Sequence, residues 1–185
     1  MVGLPTEKLE DLEEMIVLVL KLKELMLQIG RKKGSLGQLT LSVNYFVPKP
    51  WTPFQYHPFE NTVDLLEKRN FLRHRLGKTA NIKLQIDQPE KALKQAMLAR
   101  GDRRVGAALS CLKKEKNWLR SFVKAGVTPE IYAYRQRLEQ EIFPWDIIDH
   151  KINKHYLWEE YQRALAGKST PACNTEKCKR CGVCG

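Results

Sequence analysis

Four of the five cysteines fall in the last thirteen residues of this 185-residue chain. Cys173, Cys178, Cys181 and Cys184 form the run C-x4-C-x2-C-x2-C, which closes one residue before the chain ends. A stretch this short has no core of its own, so whatever orders it must bring the sulfurs to one point. Two intervening residues are enough to turn the backbone around a metal, and Gly182 and Gly185 permit the dihedrals such a turn needs. The pattern points to a four-thiolate metal or iron–sulfur site.

Its C-x2-C-x2-C part matches the first three ligands of the bacterial ferredoxin run, with the fourth cysteine upstream at Cys173 and no proline after the last. Zinc accepts four thiolates equally well, but its usual sites pair two separated hairpins rather than chain three cysteines. The spacing therefore favours an iron–sulfur cluster, of the 4Fe–4S kind, with zinc as the alternative. Lys177, Lys179 and Arg180 stand where they offset the charge of such a site, or are simply solvated. No basic segment followed by an apolar stretch and a cleavage site opens the chain, and residues 7–14 are dominated by acids. The longest uncharged apolar run, Met15 to Leu20, is far too short for a bilayer. A reducing cytoplasm is the expected compartment, with no membrane partner, and there clustered cysteines mean metal more often than disulfides.

Hydrophobic periodicity lays out the rest. Leu9, Leu12, Ile16, Val19, Leu20 and Met26 recur at helical spacing and predict a helix over 7–28, with acids in its first turns. Residues 30–37 read as a basic loop. Residues 39–47 alternate, with Leu39, Leu41, Val43, Tyr45 and Val47 on one face, and predict a strand that Pro48, Pro50 and Pro53 end. Asn61 caps a helix to about Leu76, and Ile82, Leu84 and Ile86 mark a second strand. Helices are predicted after Pro89, after the turn of residues 100–104, and over Trp118 to Ala125 with Gly126 as its stop. Thr128-Pro129-Glu130 predicts a further helix running until Pro144. A last helix is expected from about Lys151 to Ala166, joined to the cysteine tail by residues 167–171.

Several side chains outside the tail carry candidate chemistry. Cys111 sits among Ala107, Ala108, Leu109 and Leu112 and reads as a buried small hydrophobe. His57, His74, His150 and His155 have no ligand-like spacing, and His155 near Trp158 reads as packing. Trp118, Trp145 and Trp158 read as core anchors. In the segment 100–104, RGDRR, the guanidiniums either grip a phosphate or flank an Asp102 helix cap. A net charge of +11 favours polyanionic partners such as RNA, or an acidic neighbour. Equally, the basic residues line solvated helix faces.

Gly3-Leu4-Pro5-Thr6-Glu7 followed by Glu10-Asp11-Leu12-Glu13-Glu14 resembles the GLPTE-x-x-EDLE turn of radical SAM proteins, which joins a late barrel strand to its helix. Ser42-Val43-Asn44 with Phe46 through Gln55 is similar to the last barrel strand and its exit in the B12-binding-type radical SAM Fe–S oxidoreductases. The likeness continues through Arg100 to Val105, Pro144-Trp145-Asp146 with Ile148-Asp149, Tyr156-Leu157 with Glu160-Tyr161, and the cysteine run, in family order over nearly the whole chain. The resemblance implies an α/β chain of three parts. Residues 1–58 would supply closing strand and helix elements of a radical SAM (β/α) barrel, 59–167 a mainly helical extension, and 168–185 the metal-binding tail. It also implies that Gly3 and Glu7 lie near the cofactor at the barrel mouth. No residue is thereby assigned as catalytic.

One departure limits what carries over. Radical SAM enzymes hold their cluster with C-x3-C-x2-C, leaving one iron open for S-adenosylmethionine, and this sequence has no such spacing. The resemblance thus implies the C-terminal part of such an enzyme, with S-adenosylmethionine and possible cobalamin chemistry belonging to the full-length protein. The expected partner is the N-terminal half of the barrel or a separately encoded subunit. Met1 falls where the family has an apolar strand leading into GLPTE, as it would after truncation, gene splitting or deliberate shortening. Alone, the chain is expected to be inactive. The alternative is a non-enzymatic basic module that binds RNA and carries a zinc knuckle.

Overall fold

The computed structural model describes residues 1–112 and 117–183. Within them the chain is mixed helix and strand, 49% helical and 7% strand. It divides into two compact units: Met1–Phe46 with Glu60–Ala92, and Val47–Phe59 with the described residues from Leu93 onward.

The first unit is a small parallel sheet with two helices. Helix α1 spans Leu9–Lys32. Lys8 N–H donates to the Asp11 carboxylate at 2.7 Å at its start, and Glu10 and Asp11 against Arg31 and Lys32 complement its dipole. Strand β1, Leu39–Val43, pairs in parallel with β2, Ile82–Ile86, with Leu39 opposite Ile82 and Val43 opposite Ile86. Val2 adds a stub of a third parallel strand. Its N–H donates to the Asn44 carbonyl at 2.9 Å and its carbonyl accepts from Phe46 N–H at 2.7 Å. Helix α2, Thr62–Leu76, connects β1 to β2, and Asn61 caps it by accepting from Val63 N–H at 2.9 Å. The order is therefore strand, α1, β1, α2, β2, the crossover pattern that parallel pairing demands. Leu12, Ile16, Val19 and Leu27 of α1 are buried with Val2, Val43, Leu65, Leu72 and Leu76. No barrel is present among the described residues, and the coarse α/β class is what the structure establishes.

The strand predicted over 39–47 is regular only to Val43. Beyond it Tyr45 answers the Val2 stub instead of β2, and its hydroxyl donates to the Asp87 carbonyl at 2.9 Å. Leu39 and Leu41 are half-buried, and only Val43 and Tyr45 of that face are fully covered.

Helix α3, Pro89–Arg100, starts in the first unit and ends in the second. There follow α4, Arg104–Cys111; α5, Trp118–Lys124; and α6, Lys154–Leu165. Pro53–Tyr56 forms a 3-10 turn that brings Tyr56 into the second unit's core. That core is aromatic: Tyr56, Phe143, Trp145, Leu157 and Tyr161, with Trp51, Phe54 and Trp158 packed against it. Phe143 stacks on Trp145 with centroids 4.9 Å apart, and Tyr56 meets Trp158 edge-on at 4.9 Å. Trp145 and Trp158 are thus core anchors, as their sequence context predicts.

Three expectations are corrected here. The helix predicted from Thr128 to Pro144 exists only as one wide turn, Glu130–Tyr134, of π-helix. Arg135 is extended, and Arg137 N–H donates to the Tyr56 carbonyl at 3.0 Å, so burial of the Arg137 side chain beside Phe143 and Trp145 overrides the local helical pattern. Cys111 is exposed, because it ends α4 while Val105 and Ala108 take the buried face. His155 is exposed too, with Nδ1 2.6 Å from Glu139, rather than packed.

Candidate metal centre

Helix α6 is the platform for the tail. Its cap, Asn153, accepts from His155 N–H through its side chain at 2.9 Å. Gly167, at φ +66, ends the helix and turns the chain back. Thr170 then donates its hydroxyl to the buried Glu160 carboxylate, fastening the linker to α6.

Past that point the tail is a series of turns. Asn174 accepts from Glu176 N–H through its side chain at 3.0 Å, and its carbonyl accepts from Cys178 N–H at 2.7 Å. Arg180 closes the loop from the other side. It donates Nε–H to the Cys178 sulfur at 3.5 Å and Nη2–H to the Pro171 carbonyl at 3.3 Å. The Cys181 carbonyl accepts from the backbone N–H of Asn153 at 2.7 Å, immediately ahead of α6. Gly182, at φ +81, lies so close to that segment that a Cβ there would be 3.0 Å from the Lys151 carbonyl.

These contacts bring Cys173 beside Cys178 and hold Cys181 by its backbone against Asn153. None of Cys173, Cys178 and Cys181 is in a disulfide; Cys173 is exposed and the other two are half-buried. The Arg180 hydrogen bond draws the Cys178 thiol below its usual range, and the Cys173 thiol beside it acts in the same direction. Burial raises the pKa of the Tyr156 hydroxyl, and the charges of Glu160, Cys181 and Cys178 add to the shift. Among the described residues no three His, Cys, Asp or Glu side chains stand in metal-holding geometry. Cys184, the fourth predicted ligand, lies outside the described residues, as does Gly185. The donor set suits a soft metal or an iron–sulfur cluster: thiols with no disulfide between the described cysteines, and an arginine that favours the Cys178 thiolate.

The predicted barrel-mouth residues form a separate arrangement in the first unit. Both Glu7 carboxylate oxygens accept from Gly3 N–H, at 3.0 and 3.1 Å, and one also accepts from Lys68 at 2.7 Å. Lys68 bridges to Glu60 at 2.6 Å. The Gly3–Glu7 turn borders a cavity of about 530 Å³, whose lining includes Leu4, Thr6, Glu7, Asp11 and Met15. Glu7 therefore holds its own loop, and its oxygens already have donors.

In the segment 100–104 Arg100 is internal scaffolding, whereas Arg103 and Arg104 are exposed. Arg100 is fully buried and donates to the carbonyls of His57 at 2.9 Å, Ala133 at 3.3 Å and Gln55 at 3.5 Å. Asp102 accepts from Arg104 N–H at 2.9 Å, from its guanidinium, and from Tyr132 O–H at 2.8 Å.

Sequence reasoning missed the anchors of the tail: Asn153, the Thr170–Glu160 bond and the role of Arg180. Asn153 was the legible one, since an asparagine ahead of Lys154-His155-Tyr156 is a helix cap by residue type.

No protein-family model and no solved structure matches the chain. "Uncharacterized protein MJ0966" of Methanocaldococcus jannaschii is 29% identical to it over 144 residues, which are 71% of this chain and 30% of that protein. The chain thus spans under a third of the length of the curated relative it matches. No helix of the described residues is long and apolar enough to cross a membrane.

Proposed function

We propose that this chain is the C-terminal part of a B12-binding-type radical SAM iron–sulfur oxidoreductase. In this reading it contributes strand–helix elements of the barrel, substrate-side contacts and an auxiliary cluster at Cys173, Cys178, Cys181 and Cys184. The observation that carries it is the tail itself: Cys178 bonded to Arg180 with Cys173 beside it, and Cys181 tied through its carbonyl to Asn153. The parallel order of Val2, α1, β1, α2 and β2 supports it, being the repeat from which a (β/α) barrel is built.

When bound, an iron–sulfur cluster would supply one-electron transfer at this position. Arg180 favours the ionised form of Cys178, the form that ligation requires. In the full-length protein the reaction would be reductive cleavage of S-adenosylmethionine followed by hydrogen abstraction from substrate. The missing partner would be the N-terminal barrel half or a separate subunit, in a reducing cytoplasm.

Anaerobic purification with iron and sulfide analysis tests the reading. A brown protein with iron and inorganic sulfide in cluster ratio, yielding no 5′-deoxyadenosine from S-adenosylmethionine by itself, is the expected result. A colourless protein carrying a single zinc would overturn it in favour of the basic zinc-knuckle module, whose RNA binding filter retention would then measure.

A further inference from the structure

Helix α1 carries two apolar stripes. Leu12, Ile16, Val19 and Leu27 form the buried one. Leu18, Leu22, Leu25 and Ile29 form the other, and they are 56%, 45%, 54% and 47% exposed. Their spacing alternates between four and three residues, the repeat of a two-helix seam. At about 100° per residue the second stripe lies about 120° around the helix from the first. Helix α2 does not reach it, since its ion pair to α1 runs from Arg75 to Glu13 at 3.9 Å, beyond the buried stripe on the other side.

Charge selects the occupant. Glu10, Asp11, Glu13 and Glu14 precede the exposed stripe, whereas Arg31, Lys32 and Lys33 follow it, and all seven are exposed. A second α1 laid parallel would set acids on acids and bases on bases. Laid antiparallel, each acidic end meets a basic end, and the helix dipoles oppose as well. Centring the pair between Leu22 and Leu25 puts Leu22 on Leu25 and Leu18 on Ile29, with Glu14 level with Lys33 of the second copy across the seam. Every contact then occurs twice, as a two-fold interface requires.

We propose that two copies of this chain associate through antiparallel α1 helices along Leu18, Leu22, Leu25 and Ile29. The pairing does not use the cysteine tail. A seam of four residues per helix is small beside the ~1,600 Å² of a standard interface, so the dimer is a weak, reversible one.

Sedimentation equilibrium of the full chain over a concentration series tests this. The expected result is a monomer–dimer equilibrium that Leu22→Lys weakens at least about tenfold, with the circular dichroism spectrum unchanged. Glu14→Lys and Lys33→Glu each weaken it, and the two together in one chain restore it, because the swapped charges still meet. A monomer at every concentration would overturn the proposal. So would a dimer indifferent to Leu22→Lys, a swap that fails to restore, or a monomer whose stripe is protected from hydrogen exchange only by a different polypeptide.

Discussion

Arg100 donates its Nη1–H to the backbone carbonyl of His57 at 2.9 Å from a fully buried position. The same guanidinium serves Ala133 and Gln55, so one side chain satisfies carbonyls from two distant segments of the second unit. Burial draws its pKa down to about 9, with Arg137 adding to the effect, yet it remains charged at neutral pH. Removing a donor strands buried acceptors, which costs more than one hydrogen bond is worth. Arg100→Met should therefore destabilise the protein by about 3 kcal/mol, read as a lower urea midpoint. An unchanged midpoint would show that these carbonyls find other partners.

His57 gives the pH dependence. Its ring is half-buried, Nδ1 lies 2.9 Å from the Tyr161 hydroxyl, and burial, then Arg100, lowers its pKa. The unfolded chain takes up this proton at a higher pH than the folded one. Stability is thus lost as pH falls through about 6.5 toward the folded value, and levels off below it. Asp102, held below the usual carboxylate range by Arg104, adds a further loss only below about pH 4. Exposed His155, raised by Glu139, acts in the opposite sense and is screened by salt. Measured in high salt, stability should drop as pH falls below about 6.5, and His57→Gln should flatten that slope. An NMR titration placing His57 at or above the ordinary value would refute the assignment.

How much of this was legible follows from range. Helix α2, with its Asn61 cap, and α5, with Gly126 behind it, rest on signals within a few residues, and both stand where the sequence puts them. The segment after Tyr134 does not, because its fate is set by Arg137 entering the space beside Phe143 and Trp145. No local pattern encodes that an arginine will be 3% exposed. At the tail, the cysteine spacing was visible, but the contact from Asn153 to Cys181 joins residues 28 positions apart and leaves no mark in either neighbourhood.

Gly3 is required twice over, by conformation and by space. Its φ is +81, and an added Cβ would lie 2.8 Å from both Glu60 Oε2 and Leu65 Cδ2. Gly34 has a similar φ of +71 with nothing within 4 Å. Gly34→Ala therefore carries backbone strain alone, about 1 kcal/mol. Gly3→Ala adds a clash within the Glu7–Lys68–Glu60 group and should cost about 2–4 kcal/mol. Equal thermal shifts for the two variants would show that the first unit's loop yields to the clash.

The tail should depend on its ligands as a whole. Its turns rest on a few hydrogen bonds, from Arg180 to Cys178 and from Asn153 to Cys181, with no buried apolar core beneath them. Fixing each residue costs roughly 1–2 kcal/mol, so ligation must offset most of the ordering of residues 173–184. Hydrogen exchange should then show the tail protected in the loaded protein and open after chelation, while α6 and the aromatic core stay protected in both. Cys181→Ser removes the thiol in the middle of the C-x2-C-x2-C part and should abolish loading. Cys111→Ser, at the exposed end of α4, should leave loading intact. Full iron or zinc content in Cys181→Ser, or none in the unaltered anaerobic protein, would remove the metal centre from this tail.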